Sequence, residues 1–192
     1  MGNRYSMMLD KAPLRTKGIS SAVVAFGGDI MCQSYIEKRE FNQPIDYGRA
    51  TRFTIFGGVI VAPILHYWYG YLAIKYPMKA GQNVLISAMQ RLVLDQGLFA
   101  PFIVPFSMFS LLTMEGHSLD YTMLKMKQDF WTSLKANWSI WIPGSFLNFY
   151  LIPVSYQVLF SNVTALIWNT ILSYMAYRKP VVHEKEKEKM DN

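Results

Sequence analysis

The chain has 192 residues, 52% hydrophobic and 17% charged, with a mean hydropathy of +0.13, a net charge of +6 and a pI near 9.3. That is too apolar for an ordinary soluble domain and points to lipid. The positive residues stand in the termini and between apolar runs, as Arg4, Lys11, Arg15, Lys17 and Arg178 show, which is the flank pattern of membrane spans and excludes a nucleic-acid-binding stripe.

Three compositional regions follow one another: a basic N-terminal segment over 1–17, an apolar bundle over 18–177 and a charged tail over 178–192. The opening Met1-Gly2-Asn3-Arg4-Tyr5-Ser6 matches a myristoylation pattern, but a multispanning protein hardly needs a lipid anchor, and chance explains the match better. The first apolar run lacks a small-x-small cleavage pattern and contains Asp29 and Gln33, so the N-terminus is expected to stay on the protein.

A spanning helix needs about 20 mainly apolar residues, because hydrocarbon offers no water to satisfy the backbone. Runs over 18–36, 52–72 and 92–114 meet that requirement, each broken by Gly, Pro or a polar residue. A polar connector is predicted over 115–128. The chain is apolar again over 130–153 and 156–177, but the first of these carries Lys135, Asn137, Pro143, Gly144 and Asn148, so it either spans with a kink or lies partly along the interface. The predicted fold is an all-α integral membrane protein, a compact bundle of four or five transmembrane helices with short loops and with membrane lipid as its surroundings. Four spans put both termini on one side, which the Lys/Arg distribution favours, and five put them on opposite sides. The tail alternates Glu and Lys over 184–189 and reads as a solvated extension.

Small residues recur at helical spacing, as Ser21, Ala25, Gly27, Gly28, Gly57, Gly58 and Ala62, and predict close helix approach, since packing drives association in lipid. Aromatic residues cluster in His66-Tyr67-Trp68-Tyr69-Gly70-Tyr71 and Asn137-Trp138-Ser139-Ile140-Trp141, where an interfacial belt is the main reading. Trp138, Trp141, Pro143 and Trp168 are the candidate interfacial or kink residues.

An ionised side chain at mid-bilayer costs at least about 2.5 to 3.5 kcal/mol, so polar residues inside spans should face protein or water. Asp29 and Gln33 share one face of the first run at i, i+4 spacing. Arg91 precedes Asp95 by four residues, Gln96 follows, and Asn148 and Asn169 stand in the last two runs. Two readings fit this set. The residues line a hydrated path for small solutes, or they are interhelical ties, with Asp29 on Arg49 or Arg52 and Arg91 on Asp95.

The single cysteine, Cys32, can form no internal disulfide, and His66, His117 and His183 stand far apart without metal-ligand spacing, so neither a metal nor a cofactor is expected. No nucleophile elbow, phosphate-binding loop, dinucleotide fingerprint or zinc-protease motif is present, and no enzyme is expected.

Ordered along the chain stand Tyr5, Leu9, Pro13 and Thr16, then Gly28-Asp29 with Gln33, then Asp46-Tyr47-Gly48-Arg49 with Arg52 and Gly57, then Pro63, His66 and Trp68-Tyr69. Asp95-Gln96, Pro101, Glu115-Gly116, Asn137-Trp138, Trp141, Asn148-Phe149, Pro153, Trp168-Asn169 and Leu172-Ser173-Tyr174 continue the series. In these residues the sequence resembles the family of the 22 kDa peroxisomal membrane protein, whose mitochondrial inner-membrane members include the Mpv and Sym proteins. The resemblance implies a channel-like protein of four spans that lets small metabolites or ions cross an organelle membrane. Its opening is more similar to the mitochondrial members, which favours the inner membrane over the peroxisome. The alternative is a non-transporting accessory subunit, within a homo-oligomer or a larger inner-membrane complex.

Two departures stand out. The family's Trp-Pro is Trp141-Ile142-Pro143 here, with Ser145 where a Gln is usual, and a usual basic residue is Gln157. Moving a proline by one residue turns any kink by about 100° around a helix of 3.6 residues per turn.

Overall fold

Among the described residues the apolar runs become five long helices. The computed structural model describes residues 7–8, 11–37, 44–77, 84–151 and 154–178. Helix α1 is Pro13–Met31, extended by a π-helical turn at Cys32–Ile36. Helix α2 is Tyr47–Lys75, with a π turn at Phe56–Val61. Helix α3 joins Val84–Leu94, a π turn at Asp95–Phe99 and Ala100–Glu115. Helices α4 and α5 are Leu119–Tyr150 and Val154–Tyr177. The Met1 to Ser6 pattern, Pro153 and the tail beyond residue 178 lie outside the described residues.

Tyr47–Lys75, with 29 residues, and Leu85–Glu115, with 31, are long and apolar enough to cross a membrane. Helices α1, α4 and α5 carry more polar residues, and many of these are buried in the bundle, among them Asp29, Lys125, Asp129 and Ser173.

Helix ends follow local chemistry. Asp46 caps α2 by accepting from the Arg49 amide at 2.8 Å, and Gly116 ends α3 in the left-handed conformation at φ 91°. Ser118 then accepts from the Tyr121 amide and starts α4 with Asp120 in its first turn. The predicted connector over 115–128 is thereby corrected to three residues, 116–118. Its remainder is mostly the start of α4, where Lys125 is buried against α5 while Asp120 and Lys127 are exposed.

Two of the three π turns run directly into Ala-Pro, at Ala62-Pro63 and Ala100-Pro101. A proline has no N–H to give and its ring collides with the carbonyl four residues back, so a widened turn there keeps the helix continuous. Pro105 and Pro143 sit inside α3 and α4 without such a turn.

Contacts along the helices fix their directions. Gly58 meets Gly18 and Ala22 while Gly57 meets Ala25, so α1 and α2 are antiparallel. Gly28 lies against Asn169 and Thr170, and Asp29 against Ser173, so α1 and α5 run parallel side by side. A Cβ on Gly28 would lie 2.5 Å from the Asn169 Cβ, and one on Gly57 would lie 2.7 Å from the Ala25 Cβ. Glycine is required at both positions for the backbones to come this close.

The bundle therefore has two distinct ends. One carries the end of α1, the start of α2 and the end of α5. The other carries the start of α1, the end of α2 and the start of α5. Between them lies a buried apolar layer that includes Phe53, Phe56, Met108, Leu111 and Leu172.

Candidate functional site

The polar residues singled out in the sequence separate into two systems, one on either side of that layer. The first is a buried clasp. Asp29 is fully buried at the end of α1, and its Oδ1 accepts from Arg49 Nε at 2.7 Å and from the Ser173 hydroxyl at 2.5 Å. Its Oδ2 accepts from Gln33 Nε2 at 2.7 Å, and the Gln33 Oε1 accepts from the Asp46 amide at 2.8 Å. Arg49 also donates to Ser173 at 2.6 Å and to Glu37 at 3.0 Å, while its guanidinium lies 4.0 Å from the Tyr177 ring centroid. Every charge here has several partners, which is the condition for a buried ion pair to be tolerated. The clasp joins α1, α2 and α5.

Of the two ties proposed for Asp29, the structure forms the one to Arg49. Arg52 instead faces Glu115 at 3.7 Å. Cys32 is buried beside the clasp, with its sulfur 3.5 Å from Arg49 Nη2. Among the described residues no three His, Cys, Asp or Glu side chains gather as a metal site.

The second system is a cavity of about 420 Å³ towards the opposite end. Its polar wall includes Arg91, Asp95 and Gln96 from α3, Asn137 and Asn148 from α4, and Asn169 from α5. Trp141 and Trp168 face it as well, and so does Ser145. Phe56 and Leu172, members of the apolar layer, close it on the clasp side.

The expected tie from Arg91 to Asp95 is not formed and is corrected here. Arg91 donates from Nε and Nη2 to the Tyr76 carbonyl at 2.9 and 2.6 Å. Asp95 accepts from Trp68 Nε1 and from Gln96 Nε2, each at 2.8 Å, with the Tyr69 hydroxyl at 3.5 Å. Both side chains are instead taken up by partners at the end of α2, the Tyr76 carbonyl and the Trp68 indole, and i, i+4 spacing alone does not hold them together.

Three amide oxygens on this wall, Gln96 Oε1, Asn137 Oδ1 and Asn148 Oδ1, are buried with no hydrogen-bond partner among the described residues. Leaving such a group unpaired costs about 1 to 3 kcal/mol, so three around one cavity mark a place built for something that donates hydrogen bonds. The amide nitrogen of Asn148 is occupied, donating to Ser161 at 3.1 Å, and that of Asn169 turns back onto the Ala165 carbonyl at 2.7 Å.

The single hydrated path containing Asp29, Gln33, Asp95, Gln96 and Asn148 is therefore corrected to two places. Asp29 and Gln33 are outside the cavity. Trp138 is drawn inward, donating from its indole to the Gln96 carbonyl at 2.8 Å and packing beside Ala100, Val104 and Leu134. Trp168 packs against both core clusters. Asn137 was missed as a site residue, although its lone amide among aromatic residues was the available signal. Ser173 was missed because a serine in an apolar helix also bonds happily to its own backbone.

A third polar group binds α4 to α5 near the clasp end. Lys125, fully buried, donates to Asp129 at 3.0 Å and to the Arg178 carbonyl, and the Arg178 guanidinium donates to Asp129 at 2.5 Å.

Comparison with known proteins extends the picture. The family model described as the Mpv17 / PMP22 family matches residues 112–173. The chain is 35% identical to protein SYM1 of Candida albicans over 91% of this chain and 96% of that protein. It is 33% identical to protein SYM1 of Saccharomyces cerevisiae over 95% and 92%. To peroxisomal membrane protein 2 of Bos taurus it is 31% identical over 89% and 87%. No solved structure matches the chain. At these identities over nearly the full length of both partners, the protein belongs to the Mpv17/PMP22 family of membrane proteins.

Proposed function

We propose that the protein is a multi-pass organelle membrane protein of weak selectivity that passes small solutes through the α3–α4–α5 cavity. The supporting observation is the cavity of about 420 Å³ walled by Asp95, Gln96, Asn137 and Asn148. Polar groups at membrane depth are tolerated where they line a watery space, and the amide oxygens of Gln96, Asn137 and Asn148 have no partner among the described residues. All five helices cross in this proposal, so residues 13 and 177 lie on opposite sides. The apolar layer of Phe56, Met108 and Leu172 is then the barrier that must part for passage. No catalytic step is assigned.

The mitochondrial inner membrane is the proposed location, on the resemblance of Tyr5, Leu9 and Pro13. The peroxisomal membrane is the alternative, after the bovine relative's name. An accessory packing subunit is the alternative function; Gly28, Gly57 and Gly58 are occupied within the bundle, while Gly70 and Gly97 face open space.

Reconstitution into a planar bilayer is the test. Protein-dependent conductance or solute flux, altered by Asp95→Asn, is expected. Absence of any protein-dependent passage would overturn the proposal, and migration only as part of a large assembly on a native gel would favour the accessory subunit.

A further inference from the structure

Resting on the reading of this cavity as the transport site, we propose that it binds one uncharged polyol, held by the amides of Gln96, Asn137 and Asn148 and flanked by the rings of Trp141 and Trp168. The chemistry of the wall selects this class. The unpartnered atoms are neutral acceptors, Gln96 Oε1, Asn137 Oδ1 and Asn148 Oδ1, each on a side chain at least nine-tenths buried. They call for a ligand with several donors in different directions, and each hydroxyl of a polyol both donates and accepts. It therefore satisfies these amides whichever way each is turned.

Charge argues against an ion. Arg91 and Asp95 are the charged residues among those lining the cavity, and their formal charges cancel. The Asp95 oxygens already accept from Trp68, Gln96 and Tyr69, so the carboxylate is a poor free counter-charge for a cation. The Arg91 guanidinium is turned onto the Tyr76 carbonyl, which leaves it a poor partner for an anion. Indole faces suit the C–H surface of a polyol chain. Pockets of about 300 to 1,000 Å³ hold small ligands, and about 420 Å³ admits a molecule the size of xylitol with some water.

The test is a titration of the purified full chain in lipid nanodiscs with glycerol, erythritol, xylitol, potassium chloride and ammonium chloride, read by calorimetry and tryptophan fluorescence. Saturable binding of xylitol, stronger than glycerol and absent for the salts, is expected. Asn137→Leu and Asn148→Leu should each weaken it at least about tenfold, which is the factor that 1.4 kcal/mol produces. Ser145→Gln keeps every polar partner and fills the wall, so it should abolish binding without changing the melting temperature. Exposed Ile74→Ala is the control and should bind as the parent does. Binding of the salts with none of xylitol would overturn the proposal, as would xylitol binding unaffected by Asn137→Leu, Asn148→Leu and Ser145→Gln alike. Solute flux without saturable xylitol binding would remove the polyol site and leave the transport reading standing. Binding without flux would support the site and remove the transport reading.

Discussion

The two ends of the bundle use polar side chains in opposite ways. At the clasp end, Asp29, Arg49, Gln33 and Ser173 satisfy one another at 2.5 to 2.7 Å and are closed to solvent. At the cavity end, Gln96, Asn137 and Asn148 present carbonyl oxygens with no partner among the described residues. Polar residues inside a membrane bundle are thus of two kinds, and hydropathy cannot tell them apart. The criterion is whether each donor and acceptor finds a partner within the chain. A satisfied network contributes to stability, and an unsatisfied one is a candidate for binding.

That contrast is open to direct attack, starting with the largest effect. Arg49→Met leaves the Asp29 carboxylate buried without its cation and should destabilise by about 3 to 5 kcal/mol. Thermal unfolding in detergent measures the loss. Pairing it with Asp29→Leu should recover most of that loss, and a double variant as unstable as the single would contradict the clasp.

Asp129→Leu is the next test, since it leaves Lys125 facing Arg178 alone, with an expected cost of about 3 kcal/mol near neutral pH. The same melts measure it, and an unchanged melting temperature would contradict a structural role for the Lys125, Asp129 and Arg178 group.

Smaller effects are expected across the cavity. Trp138→Phe removes one indole hydrogen bond to the Gln96 carbonyl and should cost about 1 kcal/mol in the same melts. Asn148→Leu removes an unpartnered oxygen together with one bond to Ser161, so stability should shift by less than about 1 kcal/mol in either direction. A large loss there would place Asn148 with the clasp residues and erase the distinction between the two ends.

Much of the helical layout was legible because runs of about 20 apolar residues in a lipid-like composition leave few alternatives. The clasp was half legible. Asp29 and Gln33 share a face by spacing alone, and Arg49 was one of two named partners for Asp29. What escaped depended on geometry that spacing does not carry. The i, i+4 pair of Arg91 and Asp95 satisfied a helical rule, but the Tyr76 carbonyl and the Trp68 indole took the two side chains. The start of α4 was hidden because Asp120, Lys125, Lys127 and Asp129 lower its hydropathy, although Lys125 and Asp129 are buried. Asn137 sat in a cluster read as an interfacial belt, and whether its oxygen has a partner depends on three helices together.

The parallel neighbours α1 and α5 tie the first long helix made to the last. Ser173 joins Asp29 across 144 positions of sequence, whereas Arg49 joins it across only 20. A growing chain can therefore pair Asp29 with Arg49 early but must keep the place beside Gly28 open until α5 emerges. Until then the carboxylate lacks one donor and the α1 backbone lacks its close neighbour. Assembly has a built-in order, and a chain cut short before residue 173 would carry an ion pair short of one hydrogen-bond donor.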